Sequence, residues 1–365
     1  MGKTIDKELI QGIISEAGVD MVLITDPYNL RYYTGFRGGE GVAVMTRDRY
    51  VLITDSRYTE AASKESDFEV IEFNMTRSKK SIIIALAKEC GAENVGFEDD
   101  NISYQEYKMY ENMFSEVDFG DKHPVLKPMN SLLMKPRRVK TEEEIGFLRQ
   151  AEHIGDMAFS DLLGILKPGM TELEVAAELE YRMKKHGAGG FSFDTIAASG
   201  VHSSMPHAIP TDKKIEEGDF LTLDFGCLYE GYCSDMTRTV CFGKASEEQK
   251  KIYNIVLEAQ LAVLDAVKPG LVCKDVDSIA RNYIREAGYG DFFGHGLGHS
   301  VGLFIHESPA FNTRDETVLE PGMVITDEPG IYLPGRFGVR IEDMILITEN
   351  GYENLAHSPK ELIEL

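Results

Sequence analysis

The residues of this chain best suited to chemistry are four acids and a histidine in its second half: Asp224, Asp235, His299, Glu328 and Glu342. Side chains alternate along an extended chain. In residues 220–225 this places Thr222 and Asp224 on one face and Leu221 and Leu223 on the other. The same alternation groups Asp235 with Thr237 and Thr239 in 234–240, Thr326 with Glu328 in 324–328, and Arg340 with Glu342 in 339–344. Four predicted strands thus each present an acid on a polar face. A carboxylate near a core is costly unless a cation compensates it, and a patch of four repels itself. Two divalent ions would neutralise the four charges. His299 lies among Gly294, Gly296, Gly298 and Gly302. Glycines let backbone come close to a site, and a histidine there can lend a ring nitrogen to a metal. Four carboxylates and one imidazole form a hard, oxygen-dominated set. It favours Mn²⁺, with Co²⁺ or Zn²⁺ as substitutes, over a thiolate-type structural zinc.

The elements that must carry these residues repeat themselves. A helix runs into Leu166-Lys167-Pro168-Gly169 and a second follows to Gly187; about a hundred residues later a helix runs into Val267-Lys268-Pro269-Gly270 and another follows to Gly288. Thr171 with Glu174, and Ser246 with Gln249, have the spacing of capping boxes at two of these starts. Strands follow each helix pair. Residues 216–224 match 320–328 at an offset of 104, which sets Asp224 and Glu328 at equivalent points. This order predicts a duplicated α+β unit with a site on its pseudo-twofold axis. Residues 1–130 alternate helix and strand signals, with strands at 19–25, 41–45 and 50–54 and a helix at 79–90, as in a small α/β domain. Pro136 and a basic cluster precede Thr141, whose spacing to Glu144 makes another capping box and starts a long helix. The expected domains are 1–135 and 136–365.

Composition narrows the function. A length of 365 residues suits two domains. The net charge of −23, from 61 acidic and 38 basic residues, repels phosphate backbones and anionic lipid, so nucleic acid and membrane are excluded as partners. The first twenty residues hold no apolar run fit for a signal peptide or a span. Five cysteines with no CxxC pair read as reduced thiols, which points to the cytoplasm. Asp224-Phe225-Gly226 spells the kinase DFG, but no Gly-rich loop with a strand lysine and no HRD accompany it. The glycines at 294, 296 and 298 do not have phosphate-loop spacing. His153, His186 and His357 read as surface or capping residues.

The segments LDFG, SDMTRTV, GHGLGHSVGL, HES, TDEPGIY and GVRIEDM resemble the motifs of the creatinase/aminopeptidase, or pita-bread, metallopeptidases of family M24. ITDPYNLRYYTGF and LITDSRYTEAA resemble the extra N-terminal domain of aminopeptidase P, prolidase and creatinase. The resemblance implies a pita-bread catalytic domain behind a smaller creatinase-type α/β domain. It implies that Asp224, Asp235, His299, Glu328 and Glu342 are the metal ligands, with Glu328 also the general base. It further implies that His207 and His306 meet the scissile group, and that His295, Tyr332 and Arg340 bind and orient substrate. Its expected activity is hydrolysis of the Xaa-Pro bond of short peptides, with a homodimer as the assembly. Prolidases of the family often carry Arg after HE-x-P, where this chain has Ala310. That departure favours an Xaa-Pro aminopeptidase, with the Xaa-Pro dipeptidase as the alternative on the same site. A non-catalytic peptide-binding relative, or a metal-free creatinase-type hydrolase, would be expected to lack ligands, and none is missing.

Overall fold

The structure, a computed structural model, describes residues 6–119 and 123–365. The chain divides into two compact units, Met1–Arg137 and Arg138–Leu365.

The first unit runs α1 (Lys7–Ala17), β1 (Met21–Ile24), α2 (Pro27–Thr34), β2 (Val42–Thr46), β3 (Tyr50–Thr54), α3 (Thr59–Glu65), β4 (Glu69–Glu72), α4 (Lys79–Glu89), β5 (Asn94–Phe97), α5 (Tyr104–Glu116) and β6 (Val125–Pro128). Its strands make one mixed sheet in the order β4-β3-β2-β1-β5-β6. β1 to β3 are buried along their whole length and are correspondingly apolar. Met21, Leu23, Val44 and Ile53 pack against Ile82, Ile83 and Leu86 of α4 and Phe114 of α5.

The second unit carries the five candidate ligands. It runs α6 (Glu142–Leu163), α7 (Glu172–Lys185), β7 (Gly190–Phe191), β8 (Ile196–Ser199), β9 (Phe220–Phe225), β10 (Cys227–Tyr229), β11 (Tyr232–Cys233) and β12 (Met236–Cys241). Then come α8 (Glu247–Ala266), α9 (Cys273–Glu286), β13 (Gly298–Ser300), β14 (Glu307–Phe311), β15 (Val324–Asp327), β16 (Gly330–Leu333), β17 (Phe337–Arg340), β18 (Asp343–Thr348) and β19 (Gly351–Asn354). α6, α7 and α8 each open on the reciprocal capping box expected at Thr141/Glu144, Thr171/Glu174 and Ser246/Gln249. A cap of this kind stabilises a helix start by about 1 kcal/mol.

The duplication is present in three dimensions. β9 lies between β12 and β8, and β15 lies between β18 and β13. The N–H of Gly169 donates to Ile215 O (3.1 Å), and that of Gly270 to Leu319 O (2.9 Å). Both glycines adopt positive φ, 85° and 90°, which only glycine takes without strain. Each helix pair covers the apolar face of its own sheet. Leu221, Leu223 and Val240 pack against Ile154, Phe159 and Leu179, and Ile325, Ile345 and Ile347 against Ile252, Val256 and Ile284. The opposite, polar faces are left for the acids.

Three of the four predicted acid-bearing strands are displaced. Asp235 precedes β12, Glu328 follows β15, and 339–344 is not one strand: Ile341 and Glu342 separate β17 from β18. The reason is that the backbone leaves the ladder at these points. The β15–β18 pairing stops at Asp327↔Asp343. The freed N–H groups turn elsewhere, Glu328 N to Leu297 O (2.8 Å) and Glu342 N to Thr237 O (3.1 Å).

Arg238 locks this break from behind. It is 1 % exposed, donates to Asp343 Oδ1 (2.8 Å), Ser358 O (2.8 Å) and Pro359 O (3.1 Å), and also bonds the carbonyls of Thr237 and Glu342. Asp343 also accepts from Lys360 (2.7 Å), Gln260 (2.9 Å) and Asn354 (2.7 Å). Burial alone would raise its carboxyl, but Arg238 and Lys360 hold it below the ordinary value. Without Arg238, Lys360 alone would oppose the buried Asp343 charge, and the carbonyls of Thr237, Glu342, Ser358 and Pro359 would lose this donor. Arg238→Ala should therefore cost about 3–5 kcal/mol in urea unfolding of the intact chain; a loss below about 1 kcal/mol would contradict this role.

Candidate metal centre and substrate cavity

Asp224, Asp235, His299, Glu328 and Glu342 line one cavity of about 600 Å³. Asp224 sits late in β9, opposite Thr237 of β12 and Ile196 of β8. The Asp235 N–H donates to Glu152 Oε2 (3.3 Å), which rises from α6 beneath it. Glu328 Oε1 accepts from Thr326 Oγ1 (3.2 Å) and Glu342 Oε2 from Thr237 Oγ1 (2.7 Å). Thr326 thus orients the acid it is grouped with in the sequence, whereas Thr237, grouped with Asp235, orients Glu342.

His299 is fixed from two sides. Its N–H donates to Thr326 Oγ1 (3.0 Å), and Nδ1–H donates to Ser300 O (3.2 Å). That tautomer turns the Nε2 lone pair toward Asp235 Oδ2 at 3.5 Å and Glu328 Oε1 at 3.6 Å. A side chain on Gly298 would put its Cβ 1.9 Å from Thr326 O, so only glycine lets β13 lie this close to β15.

The electrostatics are those of crowded acids whose charge Arg340 offsets only in part. Burial first, and then Glu342, Asp224 and Glu328, push Asp235 well above the carboxylate range. Burial and then Glu328 and Asp224 do the same to Glu342. Burial raises Glu328 to about 8, with Asp224 adding to it and Arg340 opposing. Burial, and then His306, lower His299 to about 4, so it is neutral at pH 7 and able to ligate. Asp224 Oδ1 is buried without a hydrogen-bond partner. Asp235, His299 and Glu342 each offer a ligand atom within 4.8 Å of the others. These residues fit divalent cations: hard donors, mutually repelling, with an orphaned oxygen among them.

One fixed cation borders the cluster. Arg340, 3 % exposed, pairs with Asp224 and donates to Thr237 Oγ1 (3.0 Å), Tyr332 Oη (2.8 Å) and Pro206 O (3.2 Å). Tyr332 Oη in turn meets His295 Nε2 at 2.9 Å, and His295 Nδ1–H donates to Gly296 O (2.8 Å). Burial, with Arg340 nearby, lowers His295 to about 4. The ring is therefore neutral, and Tyr332 donates to it. His306 stands edge-on to His299, with ring centroids 4.5 Å apart, and burial and His207 lower it. His207 is exposed and lines the cavity.

The cavity also includes residues that the motifs did not single out. Phe193 to Ile196, Ile305 and Asn312 line it. Their signal was positional: Ile196 lies on the strand paired with β9, directly opposite Asp224. Glu152, fully buried beneath Asp235, carries no such signal, because an acid within an amphipathic helix reads as a solvated group. His186 caps α7 and bonds Asp161, as a capping residue should. The five cysteines are all free thiols, four of them buried. Among the described residues, no helix is long and apolar enough to cross a membrane.

Residues 146–349 match metallopeptidase family M24, and residues 8–130 match the creatinase/prolidase N-terminal domain. The chain is 42 % identical to an Xaa-Pro dipeptidase of Pyrococcus furiosus over 98 % of this chain and 99 % of that one. Among solved structures it resembles an Xaa-Pro dipeptidase from Bacillus anthracis, with 44 % identity, coverage of 98 % and 99 %, and a TM-score of 0.93. It also resembles an X-Pro aminopeptidase from Thermotoga maritima, with 38 % identity, coverage of 97 % and 100 %, and a TM-score of 0.88. The duplicated second unit has the pita-bread fold, and the first is the creatinase-type domain expected to precede it.

The raised carboxyls fix a pH dependence. Glu328 titrates near 8 when folded and near 4.5 ordinarily, so between those values the metal-free folded chain holds more protons than the unfolded one. Its stability then falls as pH rises through that window. A bound divalent ion holds the carboxylates ionised and removes the penalty. Scanning calorimetry should show that the Tm increase on replacing chelator with Mn²⁺ grows from pH 5 to pH 8. An increase that shrinks with pH would contradict the arrangement. Glu342→Gln should abolish most of the increase at pH 8.

Proposed function

The chain belongs to metallopeptidase family M24, and from that premise we propose that it is a metal-dependent dipeptidase cleaving the bond between a first residue and proline. The observation that carries the reading is the single cavity in which five hard donors meet His207, His306 and the Arg340–Tyr332–His295 chain. Names borne by relatives support the substrate: two are Xaa-Pro dipeptidases at 42 % and 44 % identity. They weigh against the aminopeptidase expectation drawn from Ala310.

A peptide bond to proline is a tertiary amide with no N–H, so the strand-like contacts of ordinary peptidases are unavailable. A site for it must grip the other groups. Asp224, Asp235, Glu328 and Glu342 give the free amino end an anionic environment. Two divalent ions in this donor set, with Mn²⁺ the first choice, would supply water activation and carbonyl polarisation. Glu328, held ionised when the site is loaded, receives the proton of the attacking water and passes it to the proline nitrogen as the C–N bond breaks. His306 donates to the oxygen that becomes negative as the carbonyl carbon turns tetrahedral. His207 faces the proline that leaves and, with His306, contacts the terminal carboxylate that an arginine at position 310 would otherwise bind. Arg340 holds Asp224 on one side and Tyr332 on the other, which fixes the wall against which His295 packs.

A second reading, an Xaa-Pro aminopeptidase, is favoured by Ala310, which lines the cavity without offering a charge to a terminal carboxylate. Three peptides separate the readings with Mn²⁺ supplied. Ala-Pro should be hydrolysed at least about tenfold more efficiently than Ala-Ala and than Ala-Pro-Ala. Equal rates on Ala-Pro-Ala would transfer the assignment to the aminopeptidase. Equal rates on Ala-Ala would remove proline specificity altogether.

A further inference from the structure

Glu172 is the first residue of α7 and is wholly buried, yet it belongs to neither the metal centre nor the apolar core. Its carboxylate accepts from Ser199 N (2.7 Å) and Oγ (2.8 Å), from Thr211 N (3.1 Å) and Oγ1 (2.7 Å), and from His202 Nδ1 (3.0 Å). The chain therefore departs from this carboxylate at Ser199 and returns to it at Thr211. Between them lies the loop that carries His207.

The loop has other ties at its ends, and they are polar: Lys213 Nζ donates to Ser199 Oγ (2.9 Å) and Leu173 N to Thr211 O (3.1 Å). Its large apolar side chains point outward: Val201 is 43 % exposed, Met205 48 % and Ile209 81 %. Burial of apolar area therefore contributes little to its placement. On the cavity side it touches β17, where Ser203 Oγ accepts from Gly338 N (2.9 Å) and Pro206 O accepts from Arg340 Nη1 (3.2 Å). A side chain at position 338 would put its Cβ 2.1 Å from Ser203 O. The loop is thus suspended between Glu172 at its two ends and β17 at its crest. Burial alone would raise the Glu172 carboxyl, yet its donors hold it below the ordinary value, so it is an anionic hub.

We propose that Glu172 is a positioning residue of the peptidase site: by tying both ends of the 199–211 loop to one carboxylate, it sets where His207 meets the substrate. The inference rests on the dipeptidase reading for what His207 contacts, but the loop anchor itself does not. Glu172→Gln conserves shape but places an amide N–H₂ where only acceptors suit the donors around it.

The test is a double-mutant cycle in the Mn²⁺-loaded full chain, using Glu172→Gln, His207→Ala and the pair, read on Ala-Pro and by amide hydrogen exchange. Glu172→Gln should lower kcat/KM about tenfold in the native background and leave it unchanged in the His207→Ala background. Exchange in residues 200–210 should quicken while the bound Mn²⁺ count stays the same. An equal loss in both backgrounds would overturn the proposal, because Glu172 would then act other than through His207. Unchanged exchange would overturn it even if no Xaa-Pro peptide were cleaved, an outcome that by itself counts against the dipeptidase reading and not the anchor. Should Glu172→Gln fail to fold, Thr211→Val removes one donor from the same carboxylate and enters the same cycle with the same two readings.

Discussion

Repulsion among four half-buried or buried carboxylates is the constraint on which the second unit depends. Two like charges 4 Å apart cost about 4 kcal/mol at the dielectric of a protein surface, and more deeper in. Here, beyond burial, Glu342 and Glu328 raise Asp235, Glu328 raises Glu342, and Asp224 contributes to all three. Arg340 offsets part of this through Asp224, and Thr237 and Thr326 give hydroxyl donors to two of the acids. No arrangement of neutral donors can cancel the remaining charge, so divalent cations are what the cluster lacks. Such a site is held in place by the covered apolar faces behind it together with the Arg238 lock and the threonine hydroxyls.

The duplicated architecture explains how the cluster is assembled against that repulsion. Each half builds a helix pair over a sheet, and each sheet exposes a polar face with an acid at the equivalent point, Asp224 or Glu328. The two halves are not identical in use. Asp224 has a fixed arginine partner, whereas Glu328 has a threonine hydroxyl and faces His299. One carboxylate is thereby paired with a buried arginine, and the other, Glu328, is left with a raised affinity for a proton.

Much of this was legible in the sequence because charge and side-chain alternation are local properties. The five donors, the capping boxes at Thr141, Thr171 and Ser246, and the helix–Lys-Pro-Gly–helix repeat could all be read from spacing. What spacing did not give was where the backbone leaves the ladder. A strand through 339–344 fits the pattern of Arg340 and Glu342, but hydrogen-bond partners from distant segments break it at Glu342. Glu152 and Glu172 were also hidden. An acid in the first turn of a helix has an ordinary explanation in the helix dipole, and nothing local tells that Ser199, His202 and Thr211 converge on it. Ala310 carries less than the other signals: an absent anchor says what one residue does not do, and relatives named Xaa-Pro dipeptidases weigh against the preference drawn from it.

The central claim is that these five residues form one site for two divalent ions. Diffraction from crystals grown with Mn²⁺, recorded at the manganese absorption edge, tests it most directly. The account predicts two anomalous peaks enclosed by Asp224, Asp235, His299, Glu328 and Glu342. No peak there, or peaks held by other residues while these carboxylates stay protonated and hydrogen-bonded to one another, would contradict it.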